Sequence, residues 1–348
     1  MKQVVVQNLV RKNIRNIQSY SSARDEFTES VSNMVFLDAN ENPFENGVNR
    51  YPDPQQQTVK GKLSQIKNIA TEKILLGNGS DEVLDLIFRA FCEPNKDNVI
   101  ILPPTYGMYK VLADINAVKV KEVQLTNDFQ PKTQTILLAA NQNSKILFLC
   151  SPNNPTGNSF SKLQVEKILK QFKGVVVIDE AYIDFSEKES WMNRLGEFPN
   201  LIITQTLSKA YGMAGIRLGT CYASKEIIKV LNSIKPPYNV NELTQQKALE
   251  RLNKVNEIQN EIQQIKNQKE ILEQELKQID FVQQVYPSDA NFLFIKVDDA
   301  TKRYQQLIDN KIVVRNRTNQ PLCENCLRIS IGKETENEKL IEILKSIN

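Results

Sequence analysis

Seven short apolar runs, at residues 74–76, 99–102, 118–123, 146–150, 175–178, 201–204 and 218–223, punctuate the first two thirds of the chain. They are nearly continuous rather than alternating, which is how a strand reads when both of its faces are buried. Between them lie segments with helical spacing; in residues 81–91, Val83, Leu84, Ile87, Phe88 and Phe91 fall on one face. Short buried strands separated by helices fold as a mostly parallel sheet flanked by helices, an α/β architecture. Ligands of such sheets bind beyond the carboxyl ends of the strands. The residues that follow each run are therefore the candidates for chemistry.

Those residues are rich in polar groups. After the first run comes Gly77-Asn78-Gly79-Ser80-Asp81-Glu82, a strand-to-helix turn whose backbone N–H groups can hold a phosphate or simply cap the helix. Glu82 stands where the dinucleotide fingerprint needs its third glycine, so that fingerprint is absent. Pro103-Pro104-Thr105-Tyr106 presents an aromatic ring suited either to stacking on a planar ligand or to packing. In Ser151-Pro152-Asn153-Asn154-Pro155-Thr156-Gly157 two prolines bracket two amides, either a rigid ligand loop or a plain turn. Asp179 ends a VVVID run, with Tyr182 three residues on. A Walker B strand also looks like this, but the chain has no GxxxxGK[ST] loop, and the ATPase reading falls with it. The other reading of Asp179 is a carboxylate that keeps a heterocyclic nitrogen protonated.

The last of these stretches, TQTLSKAYGMAGIRLGTC at 204–221, sets Lys209 next to Ser208 and eight residues before Arg217. A desolvated lysine loses its proton more readily and becomes a nucleophile. A hydroxyl and a guanidinium nearby are the groups that hold phosphate. A phosphate tethered beside a nucleophilic lysine suggests pyridoxal phosphate; taken alone, the same stretch also reads as a surface turn with solvated charges.

Composition narrows the chemistry. The chain of 348 residues has no histidine, which removes every mechanism that needs an imidazole base and leaves proton transfer to lysine, carboxylate, tyrosine or a cofactor. Five cysteines, an odd number without even spacing, fit reduced thiols; Cys323 and Cys326 form one CxxC but lack the further ligands a closed zinc site needs, so no metal is expected. A net charge of +3 without a basic stripe argues against nucleic acid. Charges interrupt the apolar residues of the first 20 positions, unlike a signal peptide, and no run is long enough to span a membrane. The expectation is a cytoplasmic protein that acts on small molecules.

Three regions organise the chain: an arm over 1–30, a large domain over 31–240 and a small α+β domain over 241–348. In the arm, Val6, Leu9, Val10, Ile14 and Ile17 have helical spacing. A short strand is expected at the start of 34–50, followed by the proline-stiffened Arg50-Tyr51-Pro52-Asp53-Pro54. Residues 241–280 read as one long helix whose stripe Leu252, Val255, Ile258, Ile262, Ile265, Ile271 and Leu272 packs on its own chain rather than in a coiled coil. Strands follow at 290–296 and 327–331, and a helix at 339–347 closes the chain. Arg328, between Leu327 and Ile329, points opposite to them, towards a cleft.

With the pieces in order, the chain resembles the fold-type I pyridoxal-phosphate aminotransferases, and within them the histidinol-phosphate branch. LDANENPF, RYPDP, LLGNGSDE, PPTYGMY, SPNNPTG, VVVIDEAYIDF, TLSKAYGMAGIRLG, NFLFIK, VVRNR and CLRISIG carry the resemblance over nearly the whole chain. It implies that Lys209 forms the Schiff base with the cofactor, that Asp179 pairs with the pyridine nitrogen, that Asn153 and Tyr182 bind the ring oxygen, and that Tyr106 stacks on the ring. It implies a cofactor phosphate held by the backbone groups of Ser80 and Asp81 together with Thr206, Ser208 and Arg217. Substrate would be held by Arg328, with Arg315 and Tyr20 assisting, and Tyr51 would reach a neighbouring subunit's site in a homodimer. The implied reaction passes an amino group between L-glutamate and the keto form of histidinol phosphate. An aromatic aminotransferase of the same fold shares the cofactor residues and differs only in the pocket, and a threonine-phosphate decarboxylase of that fold would also need a phosphate site. A cofactor-sensing regulator would need a DNA-binding domain, for which residues 1–30 are too few. Arg317 is an additional charge with no role in the pattern.

Overall fold

The computed structural model describes residues 5–18 and 34–347. Its centre is a seven-stranded sheet of β1 (Ile74–Asn78), β2 (Asn98–Ile101), β3 (Lys119–Glu122), β4 (Ser144–Cys150), β5 (Val175–Asp179), β6 (Leu201–Thr206) and β7 (Leu218–Ala223). The spatial order is β1-β7-β6-β5-β4-β2-β3. Only β7 runs antiparallel to its neighbours, and both β1 and β6 pair with it. All seven expected runs are strands, and alternation within them feeds two cores. Leu147 and Leu149 enter the core on one face, while Ile146, Phe148 and Cys150 enter the core on the other. At the edge, β3 shows Lys119 and Glu122 to solvent, the usual way to keep an open sheet edge from pairing further.

This topology gathers the site. The carboxyl ends of β1, β2, β4, β5 and β6 open at one edge of the sheet, and the reversed β7 begins there, so Arg217 just before it arrives at the same edge.

A second sheet, fully antiparallel, has the order β10-β11-β9-β8, built from β8 (Val282–Tyr286), β9 (Phe292–Val297), β10 (Arg315–Asn316) and β11 (Cys326–Ser330). On one face Leu293, Ile295, Val297, Leu327 and Ile329 form a small core with the closing helix Glu334–Ser346. On the other, Phe292 and Phe294 join the core of the large sheet. The small sheet is thereby fixed with one face against the large unit.

Three expectations are corrected. Residues 34–37 form no strand, and Val35 and Leu37 are exposed at 80% and 87%: no described strand lies beside them to pair with. The polar stretch 241–280 is two helices, Glu242–Leu252 and Val255–Leu276, broken at Asn253 and Lys254. The second packs on its own chain as expected, Ile258 and Ile262 against the large core and Leu272 and Leu276 in the small one, but Ile271 faces solvent. In the arm the helical spacing is realised as two short helices, Val6–Leu9 and Lys12–Arg15; Val6 on the first and Val10, just past its end, are buried.

Candidate active site

A cleft of about 440 Å³ lies between the carboxyl edge of the large sheet and the cleft-facing side of the small one. Ser80, Asp81, Tyr106, Asp179, Tyr182, Thr206, Ser208, Lys209, Arg217, Arg315 and Arg328 all line it, together with Arg317 and Asn154.

Lys209 opens into the cleft from the turn after β6, its Nζ 5.8 Å from the centre of the Tyr182 ring. Crowding by the cleft walls lowers its pKa, and Arg328 and Arg217 lower it further, so a larger share of the amine is neutral than in free lysine. Asp179 ends β5 and is 3% exposed. Burial pushes its carboxyl up, opposed by hydrogen bonds from Tyr109 Oη at 2.7 Å and the Ala181 N–H at 3.3 Å. The Tyr109 hydroxyl, fully buried and stacked on Phe148, had no counterpart among the sequence candidates. Tyr182 and Tyr106 are raised by burial and stay protonated at neutral pH.

A cradle forms where the helix Ser80–Phe91 begins. Asp81 accepts from Tyr106 Oη at 3.1 Å and lies 3.8 Å from Arg217. Gly79 holds φ +82°, and a Cβ there would meet Arg217 Nη2 at 2.6 Å. Thr206 Oγ1 accepts from the Ser208 N–H at 3.1 Å, while Ser208 Oγ is buried and finds no partner among the described residues. An orphaned hydroxyl, a guanidinium and a helix N-terminus around one hollow are the donor set of a phosphate site. Next to a lysine amine and a buried carboxylate, these residues fit pyridoxal phosphate.

Asn153 does not take the place expected of it, and its neighbour Asn154 stands there instead. Asn153 is fully buried, its Nδ2 donating to Pro104 O at 2.9 Å and Thr156 Oγ1 at 2.7 Å, so its amide holds the loop together instead of reaching the cleft. Asn154 lines the cleft and hydrogen-bonds Arg328. Tyr51 is 51% exposed, stacked on Tyr238, and borders a different hollow with Asn49 and Leu243. Tyr20 lies outside the described residues. Cys323 and Cys326 are buried free thiols, their pKa values pushed up to about 12 and about 11, and the described residues include no cluster of metal ligands.

The fold and the cleft define a fold-type I pyridoxal-phosphate transferase. The chain belongs to the aminotransferase class I and II family, whose model matches residues 30–344. A histidinol-phosphate aminotransferase from Flavobacterium johnsoniae is 64% identical over 99% of both chains. Among solved structures, the histidinol-phosphate aminotransferase of Clostridium acetobutylicum superposes with a TM-score of 0.79 at 25% identity, covering 86% of this chain and 91% of that one. That of Sinorhizobium meliloti in complex with pyridoxal-5'-phosphate shares the fold at the same TM-score and 21% identity, covering 86% and 84%.

Proposed function

We propose that the protein is a pyridoxal-phosphate-dependent histidinol-phosphate aminotransferase that exchanges an amino group between L-glutamate and histidinol phosphate. The observation that carries this reading is one cleft lined by a lysine amine with a lowered pKa, by a phosphate cradle and by Arg315, Arg317 and Arg328. When bound, pyridoxal phosphate supplies an aldehyde carbon for the amine and a ring that delocalises the electron pair left as the Cα–H bond breaks. The backbone N–H groups of Ser80 and Asp81, with Thr206, Ser208 and Arg217, would hold its phosphate, and Asp179 would keep its ring nitrogen protonated. Tyr182 and Asn154, rather than Asn153, hold its ring oxygen, and Tyr106 covers its face. Lys209, as the free amine, would take the proton from the substrate Cα and hold it for delivery to the cofactor's aldehyde-derived carbon, on the far side of the amino nitrogen. Arg328 and Arg315 bind the carboxylate of glutamate or the phosphate of histidinol phosphate.

Purified holoenzyme is expected to transaminate imidazole-acetol phosphate with glutamate far faster than phenylpyruvate. Equal or better turnover of phenylpyruvate would move the protein to the aromatic aminotransferases.

Tyr109 is a positioning residue in this reading, since its hydroxyl fixes the carboxylate that meets the ring. Tyr109→Phe deprives a buried carboxylate of a charge-assisted bond, and turnover should drop roughly tenfold, with faster loss of cofactor on dilution. Unchanged cofactor retention and rate would remove that role.

Residues 31–240 and 241–348 act as the large and small domains around this cleft. A homodimer in the cytoplasm accords with the exposed Val35, Leu37, Phe44 and Tyr51 on one stretch of chain and with five free buried thiols. Light scattering should return twice the chain mass, and Tyr20 and Tyr51 would then complete the substrate site, Tyr51 from across the interface. Among the described residues no helix is long and apolar enough to cross a membrane.

A further inference from the structure

Arg317 enters the cleft by strand geometry. In the small sheet Arg315 pairs with Arg328, and Arg328 with Phe294. Phe294 faces the large unit, so its partners on this ladder face the cleft. The Arg317 N–H donates to Cys326 O at 2.9 Å and continues the ladder by one more pair, which puts Arg317 on the same face as Arg315, two residues earlier. The turn that follows is pinned: Gln320 N–H donates to Arg317 O at 2.9 Å, Cys323 N–H to Gln320 O at 3.1 Å, and both cysteines are fully buried. Three guanidiniums therefore share one wall of the cleft.

Arg317 is the one of the three left with a buried unmet donor. Its Nε is shielded from solvent and has no hydrogen-bond partner among the described residues. Arg328 already holds Asn154 and lies over Phe292. The acidic groups that line the cleft are committed elsewhere, Asp81 to Tyr106 and Arg217 and Asp179 to Tyr109. Burial and the neighbouring guanidiniums press the pKa values of Arg317 and Arg328 down, as expected of cations short of counter-charge.

We infer that Arg317 is the residue that distinguishes a phosphorylated substrate from glutamate at this site, an inference that rests on the function proposed above. A carboxylate carries one negative charge on two oxygens, and two guanidiniums, Arg315 and Arg328, saturate it. A phosphate monoester carries close to two negative charges on three acceptor oxygens. At the position where Arg315 and Arg328 hold a carboxylate, a third guanidinium finds an acceptor only when a phosphate stands there instead. One residue thus raises affinity for the phosphorylated substrate while leaving the dicarboxylate nearly unaffected.

The test compares both half-reactions of the holoenzyme in wild type, Arg317→Gln and Arg317→Lys. For Arg317→Gln, kcat/KM for histidinol phosphate should fall roughly 10- to 100-fold, the worth of a hydrogen bond to a charged group, and that for glutamate should stay within about threefold. Inorganic phosphate, used as a competitor, should bind the variant more weakly by a similar factor. Arg317→Lys keeps the charge without the fork and should fall between; should the Gln variant not fold, this variant alone decides. Equal losses for both substrates, or none for histidinol phosphate, overturn the inference while wild-type turnover of histidinol phosphate leaves the proposed function standing. A wild-type holoenzyme that ignores histidinol phosphate removes both.

Discussion

Lys209→Ala is expected to lower turnover by about 10⁴-fold or more, because one side chain supplies both the nucleophile and the base. Its amine makes no hydrogen bond or ion pair with any described residue and lies 5.8 Å from the centre of the Tyr182 ring, so its removal breaks no such bond in the fold. The alanine variant should melt close to wild type and still bind pyridoxal phosphate through Ser80, Ser208 and Arg217, but without the visible absorbance of a lysine-bound cofactor. Spectra, melting curves and steady-state rates on one preparation separate these effects. Normal turnover with unchanged absorbance would show that another group does the chemistry and would end the mechanism proposed for the cleft.

Legibility in the sequence followed the physics of each element. The seven strands were plain because burial on both faces leaves a continuous apolar run, and a parallel sheet sends the residues after those runs to one edge. Asp179, Ser208, Lys209 and Arg217 could be singled out for that reason. Asn153 and Asn154 could not be told apart, since adjacent residues of one type differ only in where the loop turns each side chain, and that is set by Pro104 and Thr156 accepting from Asn153. Tyr109 was hidden differently: three positions after Tyr106, on the helix Met108–Ile115, it has the spacing of an ordinary core aromatic, and only the fold brings its hydroxyl to β5. Arg317 stood out as a charge without a role until the register with β11 placed it. The expected strand at 34–37 failed because apolar sequence alone supplies no pairing partner.

Gly219→Ala is expected to damage the phosphate cradle from a position that touches no ligand. Gly219 lies in β7 opposite Gly77 on one side and Thr206 on the other, beneath the turn into the helix Ser80–Phe91. A Cβ there would stand 2.3 Å from both the carbonyl carbon of Gly79 and the nitrogen of Ser80. Both are backbone atoms, held between a strand and a helix, and no side-chain rotation relieves the contact. Overpacking of this kind costs about 1–3 kcal/mol. The peptide that must move is the one that leads into Ser80 and Asp81, so the helix N-terminus shifts away from Ser208 and Arg217. A displacement near 1 Å in a positioning element is worth roughly 100-fold, and cofactor affinity should weaken on that scale along with the lower melting temperature. Gly61 provides the control: it lies inside the helix Gln57–Lys67, and a Cβ there meets nothing within 4 Å. Gly61→Ala should stabilise the protein by about 0.5–1 kcal/mol through helix propensity and leave cofactor binding unchanged. Equal behaviour of the two variants in melting and in cofactor titration would mean that the Gly79–Ser80 peptide yields without cost, and that the close approach of β7 does not shape the cradle.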